Sequence, residues 1–187
     1  MNTNQFIQCR ICKSSNCNTM FLANNFDNLK DSSQFQYFNC YDCKTIFLNT
    51  IPKNLAAYYN QDYAPYQRSK KIQKHIKKNI DIVKKFSQNC KVLEIGPGNG
   101  EFLVELAKEN YECFALEPDI SSKNFLEKNK IQVINEKLED LEIDNLQLKV
   151  DVIVAWHVIE HFENLNIFIK LCEKILNKDG YIILSTP

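Results

Sequence analysis

Glycine is scarce in this sequence of 187 residues. Only four glycines occur, and three of them fall at alternate positions in Gly96-Pro97-Gly98-Asn99-Gly100. Glycine is needed where a turn takes positive φ, or where the backbone must lie against a ligand with no side chain between. Its concentration in one turn therefore indicates a ligand-binding loop, with an ordinary glycine-rich connection between a strand and a helix as the alternative.

The sequence also lacks a recognisable N-terminal signal peptide and a long apolar run. Its longest apolar stretch, from Val152 to Ile159 counted through His157, is far short of the ~20 residues that span a bilayer. We therefore expect a cytoplasmic protein with no membrane partner. In a reducing compartment, eight cysteines indicate metal ligands or free thiols more than disulfides.

Net charge is absent as well, since 23 basic residues balance 23 acidic ones. This balance argues against a general nucleic-acid-binding protein. The distribution is uneven, because residues 61–90 hold eight Lys or Arg and two Asp or Glu. Apolar residues at helical spacing predict a basic amphipathic helix from Ser69 to Phe86. Its lysines are interpreted as a solvated face, with contact to the phosphates of a nucleotide-sugar or of RNA as the alternative.

The length fits one full domain with a small additional module. We predict a four-cysteine module at residues 1–50, a connector with the basic helix at residues 51–88, and the main domain at residues 89–187. The connector is rich in tyrosine, and two interpretations stay open: the rings line a substrate pocket, or they pack the connector onto the next domain. These tyrosines are Tyr58, Tyr59, Tyr63 and Tyr66.

Two C-x-x-C pairs mark the N-terminal module. Cys9 and Cys12 form the first pair and, after 27 intervening residues, Cys40 and Cys43 form the second. Each pair can present two sulfurs to one metal from a tight turn, and four thiolates complete a tetrahedral site. We therefore predict a structural zinc ion in a zinc-ribbon-like module, because four thiolates leave no open position for a substrate. Rubredoxin-like iron and two separate redox pairs are the alternatives, and Cys17 is interpreted as a spare thiol.

From residue 91 onward, apolar runs alternate with helical patterns. This alternation is typical of a doubly wound α/β domain, in which helices cover both faces of a parallel sheet. The predicted strands are Lys91–Ile95, Tyr111–Leu116, Ile131–Ile134, Val150–Trp156 and Tyr181–Leu184, and the predicted helices follow from Gly100, over Ile120–Asn129 and over Asn164–Asn177.

The glycine turn and the acids that follow it define a candidate cofactor site. The sequence does not match the dinucleotide motif G-x-G-x-x-G. Counted from Gly96 the third glycine position is Glu101, and counted from Gly98 it is Leu103. Glu117 ends the second strand, where a carboxylate can accept hydrogen bonds from both hydroxyls of a ribose. Glu136 follows the third strand, where an adenine edge would lie. Asp119 is a candidate N-cap for the helix between them.

The main domain resembles the class I S-adenosylmethionine (SAM)-dependent methyltransferases, a family often found in small-molecule and sugar modification. The resemblance implies a Rossmann-like fold with SAM as the cofactor. It places Gly96, Gly98 and Gly100 against the methionine part of SAM and Glu117 on its ribose. Four blocks in order carry the resemblance: Glu94-Ile95-Gly96-Pro97-Gly98-Asn99-Gly100, Leu116-Glu117-Pro118-Asp119, Asp151 to His161, and Gly180 to Pro187.

Glu94 and the residues after the fourth strand complete the predicted site. Together, Glu94 and Glu117 make the site acidic, which suits the sulfonium cation of SAM better than a pyrophosphate. Trp156 and His157 are expected beside the cofactor. Residues His157 to His161 also match H-x-x-E-H, a zinc peptidase motif, but that chemistry needs both histidines on one helix face and His157 falls at a strand end. No catalytic base is assigned.

The resemblance implies methyl transfer from SAM to a small-molecule acceptor, with a nucleotide-linked sugar as one candidate. Catalysis would come mostly from holding sulfur, methyl group and nucleophile together. An RNA methyltransferase, contacting RNA with the cysteine module and the basic helix, is the first alternative. A truncated, non-catalytic protein that binds SAM or serves as a partner is the second, and no oligomeric state is predicted.

Two further features bear on the resemblance. The family's sheet usually has seven strands, whereas five are predicted here, so we expect the domain to be truncated after the fifth strand. The paired cysteines and the tyrosine-rich connector resemble the module that precedes such domains in deoxysugar C-methyltransferases.

Overall fold

The computed structural model describes residues 7–24, 34–48, 70–162 and 164–186. The chain divides into two compact units, Met1–Tyr58 and Tyr59–Pro187, each with its own core. The predicted boundaries at residues 50 and 88 remain predictions. None of the described helices combines the length and the apolar character that crossing a bilayer requires. Outside the described residues lie the four tyrosines of the predicted connector, Tyr58, Tyr59, Tyr63 and Tyr66.

The first unit contains a small antiparallel sheet. Its strands are β1 Cys17–Asn24, β2 Gln34–Cys40 and β3 Ile46–Leu48. They pair in the order β1-β2-β3. The buried core consists of Phe38 and Phe47, whose ring centroids lie 6.0 Å apart, together with Cys9 and Cys40. A core this small contributes little apolar burial, which favours a metal ion as a further source of stability.

The second unit alternates strands with helices. Its strands are β4 Lys91–Ile95, β5 Glu112–Leu116, β6 Gln132–Ile134, β7 Val150–Trp156 and β8 Leu176–Ser185, and its α-helices are α1 Lys70–Phe86, α2 Glu101–Ala107, α3 Ile120–Lys128 and α4 Leu165–Ile175. The sheet has the order β6-β5-β4-β7-β8, and every pairing is parallel. The predicted α/β architecture is confirmed. The strand order reverses between β4 and β7, and ligands of open α/β sheets bind at such a reversal.

Successive residues of β4 alternate between the two faces of this sheet. Val92 belongs to a buried cluster to which α1 and α2 contribute Val83 and Leu103. Leu93 belongs to the cluster on the opposite face, to which α4 contributes Phe168. Helices therefore cover both faces, as predicted, and the amphipathic α1 buries its apolar stripe.

The fifth strand of the sheet begins earlier than predicted. β8 starts at Leu176, directly after α4, and not at Tyr181. Leu176 pairs with Val150, and the next pair joins Tyr181 to Val152. The turn-forming residues 177–180 therefore make a bulge inside the strand rather than the end of the preceding connection. The helix α4 is correspondingly shorter than predicted.

Candidate cofactor site and metal centre

The glycine turn joins the carboxyl end of β4 to α2. All three glycines have positive φ, with 64° at Gly96, 56° at Gly98 and 71° at Gly100. Two of them also lack room for a side chain. A Cβ at Gly96 would lie 2.9 Å from Val158, and a Cβ at Gly100 would lie 2.6 Å from Leu126. Glycine is therefore required for both conformational and steric reasons.

Glu94 lies near the end of β4, just before this turn. Its side chain is buried, with 3% of the residue surface exposed, and its Oε2 atom has no hydrogen-bond partner among the described residues. Burial raises the pKa of this carboxyl well above its ordinary value, and the negative charge of Glu117 raises it further. The structure thus holds a carboxyl in an apolar setting with one oxygen unpaired.

Glu117, which follows β5, is the other buried acid of the described residues, with 7% of its surface exposed. Burial raises the pKa of its carboxyl, whereas the N–H groups of Asp119 and Gly98 act in the opposite direction. The Asp119 N–H donates to Glu117 Oε1 at 2.9 Å. Asn135, at the end of β6, donates its side-chain amide to the Glu117 carbonyl at 2.7 Å. These contacts fix Glu117 at the carboxyl edge of the sheet, beside the glycine turn.

Glu136 lies at the same edge but is exposed to solvent. It borders an open depression of about 700 Å³ beyond the end of β6, together with Pro118 and Asn135. Glu94 and the glycine turn do not line this depression. The structure therefore brings the predicted ribose acid and the glycine turn together and leaves Glu136 in a neighbouring, open region.

Trp156 and His157 lie at the end of β7, which pairs with β4 on the side away from β5. Trp156 packs edge-on against Phe102 of α2, with ring centroids 5.6 Å apart, and its buried indole N–H has no partner among the described residues. His157 has φ of 55° and an exposed side chain, and its N–H donates to the Ser185 carbonyl at 3.0 Å. Positive φ is uncommon for residues other than glycine and is often found at functional sites.

The H-x-x-E-H pattern does not adopt the arrangement of a zinc peptidase. A short 3₁₀ turn spans Ile159–His161, whereas His157 lies before it, after the strand end. The two histidines therefore do not share the face of one helix, which that chemistry requires. In the part of the chain that the structure describes, a group of three or more potential metal ligands forms only in the first unit.

Sequence reasoning did not find the side chains that hold the site in place. Val158 fills the space beside Gly96, Leu126 fills the space beside Gly100, and Phe102 packs against Trp156. Apolar residues such as these carry no chemical signal in one sequence. The spacing of the glycines predicted a constrained turn, but not the residues that constrain it.

The four cysteines of the two C-x-x-C pairs come together in the first unit. Their Sγ atoms all lie within 4.8 Å of one another, and Cys9–Cys43 and Cys12–Cys40 are each separated by 3.5 Å. Sulfurs bound to one tetrahedral zinc ion at ~2.3 Å lie roughly 3.8 Å apart. The donor set and its spacing therefore fit a single tetrahedral ion.

Both cysteine pairs occupy the same kind of turn. The Lys13 N–H donates to the Cys9 carbonyl at 3.0 Å, and the Lys44 N–H donates to the Cys40 carbonyl at 2.9 Å. Lys13 and Lys44 have φ values of 61° and 63°. This shared geometry lets each pair present two sulfurs to a common centre.

The thiols of this group are electrostatically unequal. The Thr45 hydroxyl and N–H lower the pKa of Cys43 to about 6. The Ser14 N–H acts to lower the pKa of Cys12, but desolvation and the neighbouring sulfurs outweigh it and raise this pKa to about 12. Four thiolates this close repel one another unless a cation lies between them. Cys17, whose thiol donates to the Ser14 carbonyl at 3.4 Å, is not one of the four.

A family model described as a methyltransferase domain matches residues 63–187. Since the match covers more than half of the chain, the protein belongs to the methyltransferase-domain family. The resemblance to the class I SAM-dependent methyltransferases, which four sequence blocks carry, is confirmed at the level of family and fold.

Two relatives with assigned functions carry names that point to different acceptors. The chain is 29% identical over 140 residues to the ribosomal RNA small subunit methyltransferase A of Mycoplasmopsis synoviae, covering 73% of this chain and 51% of that protein. It is 29% identical over 127 residues to the ubiquinone biosynthesis O-methyltransferase of Pelagibacter ubique, covering 60% of this chain and 51% of that protein. The chain thus spans about half the length of these relatives, and their names leave its own acceptor open.

Solved structures share the fold at lower sequence identity. Coclaurine N-methyltransferase, bound to N-methylheliamine and S-adenosylhomocysteine (SAH), is 18% identical with a TM-score of 0.56, over 69% of this chain and 39% of that chain. The N-methyltransferase NodS from Bradyrhizobium japonicum, in complex with SAH, is 15% identical with a TM-score of 0.53, over 67% of this chain and 66% of that chain. At these identities the comparison establishes the fold alone.

Proposed function

We propose that this chain binds SAM at the carboxyl edge of its parallel sheet and acts in methyl transfer to an acceptor. The proposal is carried by the two buried carboxyls, Glu94 and Glu117, beside the glycine turn. SAM carries a sulfonium cation and no phosphate, so an acidic site suits it better than it suits the pyrophosphate of a dinucleotide. Membership of the methyltransferase-domain family supports the same cofactor.

Two unpaired polar atoms support a bound ligand at this edge. Glu94 Oε2 and Trp156 Nε1 are buried and lack partners among the described residues. They belong to the adjacent strands β4 and β7, at the point where the strand order reverses. Because buried polar groups are almost always hydrogen-bonded, an acceptor and a donor left unpaired here fit polar groups of a ligand or its hydration water.

The predicted residues have distinct roles in this proposal. The glycine turn allows the backbone to approach the methionine part of the cofactor, and Glu117 accepts hydrogen bonds from the ribose hydroxyls. Glu136 lies at the end of β6, where the adenine edge is expected. Trp156 and His157 border the site from β7.

When bound, SAM supplies an electrophilic methyl group. The chain's own contribution is to fix the cofactor and to keep methyl group and nucleophile in line, which lowers the entropic part of the barrier. The buried acids also stabilise the positive charge of the cofactor, in a site where water does not compete for them. A general base is not assigned.

The acceptor that we propose is a small molecule, with a nucleotide-linked sugar as one candidate. From residue 91 onward the chain holds ten basic and eighteen acidic residues, which disfavours a long polyanion against this region. RNA is the second candidate, because α1 exposes Lys74, Lys77 and Lys78 and one relative is a ribosomal RNA methyltransferase. Incubation with methyl-labelled SAM, followed by separation of RNA from small molecules in a cell extract, tests the two. Label in neither fraction would favour the non-catalytic alternative.

We also propose that a structural zinc ion is bound by Cys9, Cys12, Cys40 and Cys43. The support is the convergence of their sulfurs and the small apolar core of the first unit. Four thiolates leave no open coordination position, so the ion stabilises the module and takes no part in the transfer.

Replacement of Glu117 tests the cofactor site. A charge-assisted contact of this kind is typically worth ~1.5–3 kcal/mol, so Glu117→Ala should weaken SAM binding by about ten- to a hundredfold. The matched control is Glu112→Ala at the other end of β5, where the exposed acid lies 3.4 Å from the Lys91 ammonium. Calorimetry with SAM, SAH and NAD measures the affinities of parent and variants.

Two results would contradict this assignment. Equal binding of SAM by the parent and Glu117→Ala would show that the ribose does not lie on this acid. Tighter binding of NAD than of SAM by the parent would show that the glycine turn serves a dinucleotide.

A further inference from the structure

Glu94 lies among apolar residues of the central sheet. In the strand register it is flanked by Ala115 of β5 and Val154 of β7, and both of these residues are fully buried. Val92 shares its face of the sheet, as alternate residues of a strand do, and belongs to the cluster that α1, α2 and α3 cover. A carboxyl in this position is strongly desolvated, and its charged form is disfavoured.

The groups that surround Glu94 do not compensate a negative charge. No salt bridge of the described residues includes it. The titratable members of the surrounding cluster are Cys90, Tyr111 and Cys113; burial raises the pKa of each, to about 12 for Cys113, so they are neutral near neutral pH. The other members, from α1, α2, α3 and the strands of the sheet, are apolar except for the indole N–H of Trp156, which carries no charge. Glu117, at the end of β5, adds a negative charge.

We propose that Glu94 is the residue by which the site selects cationic adenosyl ligands: it is protonated in the ligand-free chain and loses its proton when a ligand cation binds beside it. This inference rests on the proposed SAM site. In the exchange, the carboxyl O–H bond breaks, the proton passes to water, and the carboxylate remains paired with the ligand cation. SAM brings two cations and one carboxylate, a net charge of +1, and the departing proton removes +1, so the net charge of the site is unchanged when SAM binds.

A neutral ligand does not drive this exchange, because the carboxylate would then remain desolvated and next to Glu117 without a cation. Two groups of SAM can supply the charge, namely its sulfonium and its α-ammonium. SAH keeps only the ammonium, and 5′-methylthioadenosine has neither. A comparison of these three ligands therefore shows whether the sulfonium or the ammonium drives the exchange, and whether the adenosyl group alone has any effect.

Calorimetric titrations in buffers of different ionisation enthalpy measure the protons released on binding. At a pH where Glu94 is still protonated, SAM should release about one proton per ligand, and 5′-methylthioadenosine should release none. Release with SAM and SAH assigns the effect to the ammonium, and release with SAM alone assigns it to the sulfonium. Glu94→Gln should abolish the release, whereas Glu112→Gln, at an exposed position on β5, should leave it unchanged.

The parent protein alone provides a second measurement, which applies even if Glu94→Gln does not fold. The ratio of SAM affinity to 5′-methylthioadenosine affinity should rise by about tenfold per pH unit while Glu94 is protonated, and then level off. A ratio independent of pH, equal release with 5′-methylthioadenosine, or unchanged release in Glu94→Gln would overturn the inference while the SAM site stands. Failure of the parent to bind SAM at any pH would remove the proposed function and this inference together.

Discussion

The substitution Gly100→Ala tests the steric part of the glycine requirement most directly. Gly100 has φ of 71° and precedes α2. An added Cβ would lie 2.6 Å from Leu126 Cδ2, 3.0 Å from Leu126 Cγ and 3.4 Å from Phe125 Cδ1. The first of these distances is shorter than any normal carbon–carbon contact, so Leu126 of α3 must move, and it is fully buried.

Two terms add to give the expected loss of stability. A left-handed backbone conformation costs a residue with a Cβ roughly 1–2 kcal/mol. Overpacking of a filled core typically costs about 1–3 kcal/mol. Gly100→Ala should therefore lower the free energy of unfolding of the second unit by about 2–5 kcal/mol, a large part of the ~5–15 kcal/mol typical of a domain.

Urea titration followed by tryptophan fluorescence measures this loss, since Trp156 is the only tryptophan in the sequence and lies in the second unit. Asn110→Gly and Asn110→Ala are the matched controls, because Asn110 has φ of 66° at an exposed position and the difference in stability between these two variants reports the backbone term alone. Leu126→Ala removes the clash, so the double variant should be more stable than the sum of the two single losses by about 1–3 kcal/mol. Strict additivity, or a loss in Gly100→Ala no larger than the difference between Asn110→Gly and Asn110→Ala, would refute the steric argument.

Purified protein should contain about one zinc ion per chain. Elemental analysis should show that the zinc is lost in Cys40→Ser and retained in the control Cys90→Ser. A first unit that is well folded without metal would contradict the assignment. Gly98→Val should abolish SAM binding in calorimetry by blocking backbone approach, and it should also destabilise the turn, because φ at Gly98 is 56°. Burial raises the pKa values of Glu94 and Glu117, so the folded chain binds more protons than the unfolded chain above the ordinary carboxyl pKa. The free energy of unfolding from these groups should therefore fall as pH rises toward the raised values, and Glu94→Gln should flatten that slope in urea titrations at several pH values.

The alternation of apolar strands and helical patterns was sufficient to predict the architecture of the second unit. β4 and β7 have the predicted bounds, because each is an apolar run that ends sharply at a turn or a polar residue. The predicted N-cap is also confirmed, since Asp119 Oδ2 accepts the Ser122 N–H at 2.7 Å. Local chemistry of this kind can be read from neighbouring residues.

Features that depend on distant contacts were not predicted. Asn177 and Gly180 suggest a turn, but the pairing of Leu176 with Val150 extends β8 across them and converts the turn into a bulge. The burial of Glu94 could not be predicted either, because it depends on Ala115 and Val154 in the neighbouring strands. A charged residue in an apolar run is ambiguous until the sheet order is known.

The site combines features that oppose folding with a geometry that suits a cationic ligand. Glycine removes the strain of the turn, and protonation of Glu94 reduces the cost of its burial, so the ligand-free chain tolerates both. A bound ligand cation then gives the Glu94 carboxylate a charged partner in place of the water that burial removed. A ligand that binds only the folded state at about 100 times its Kd adds about 2.7 kcal/mol of stability, which is comparable to the loss expected from Gly100→Ala. The parent protein should therefore gain stability in saturating SAM, whereas Gly98→Val, in which the added side chain blocks the backbone approach to the cofactor, should gain none.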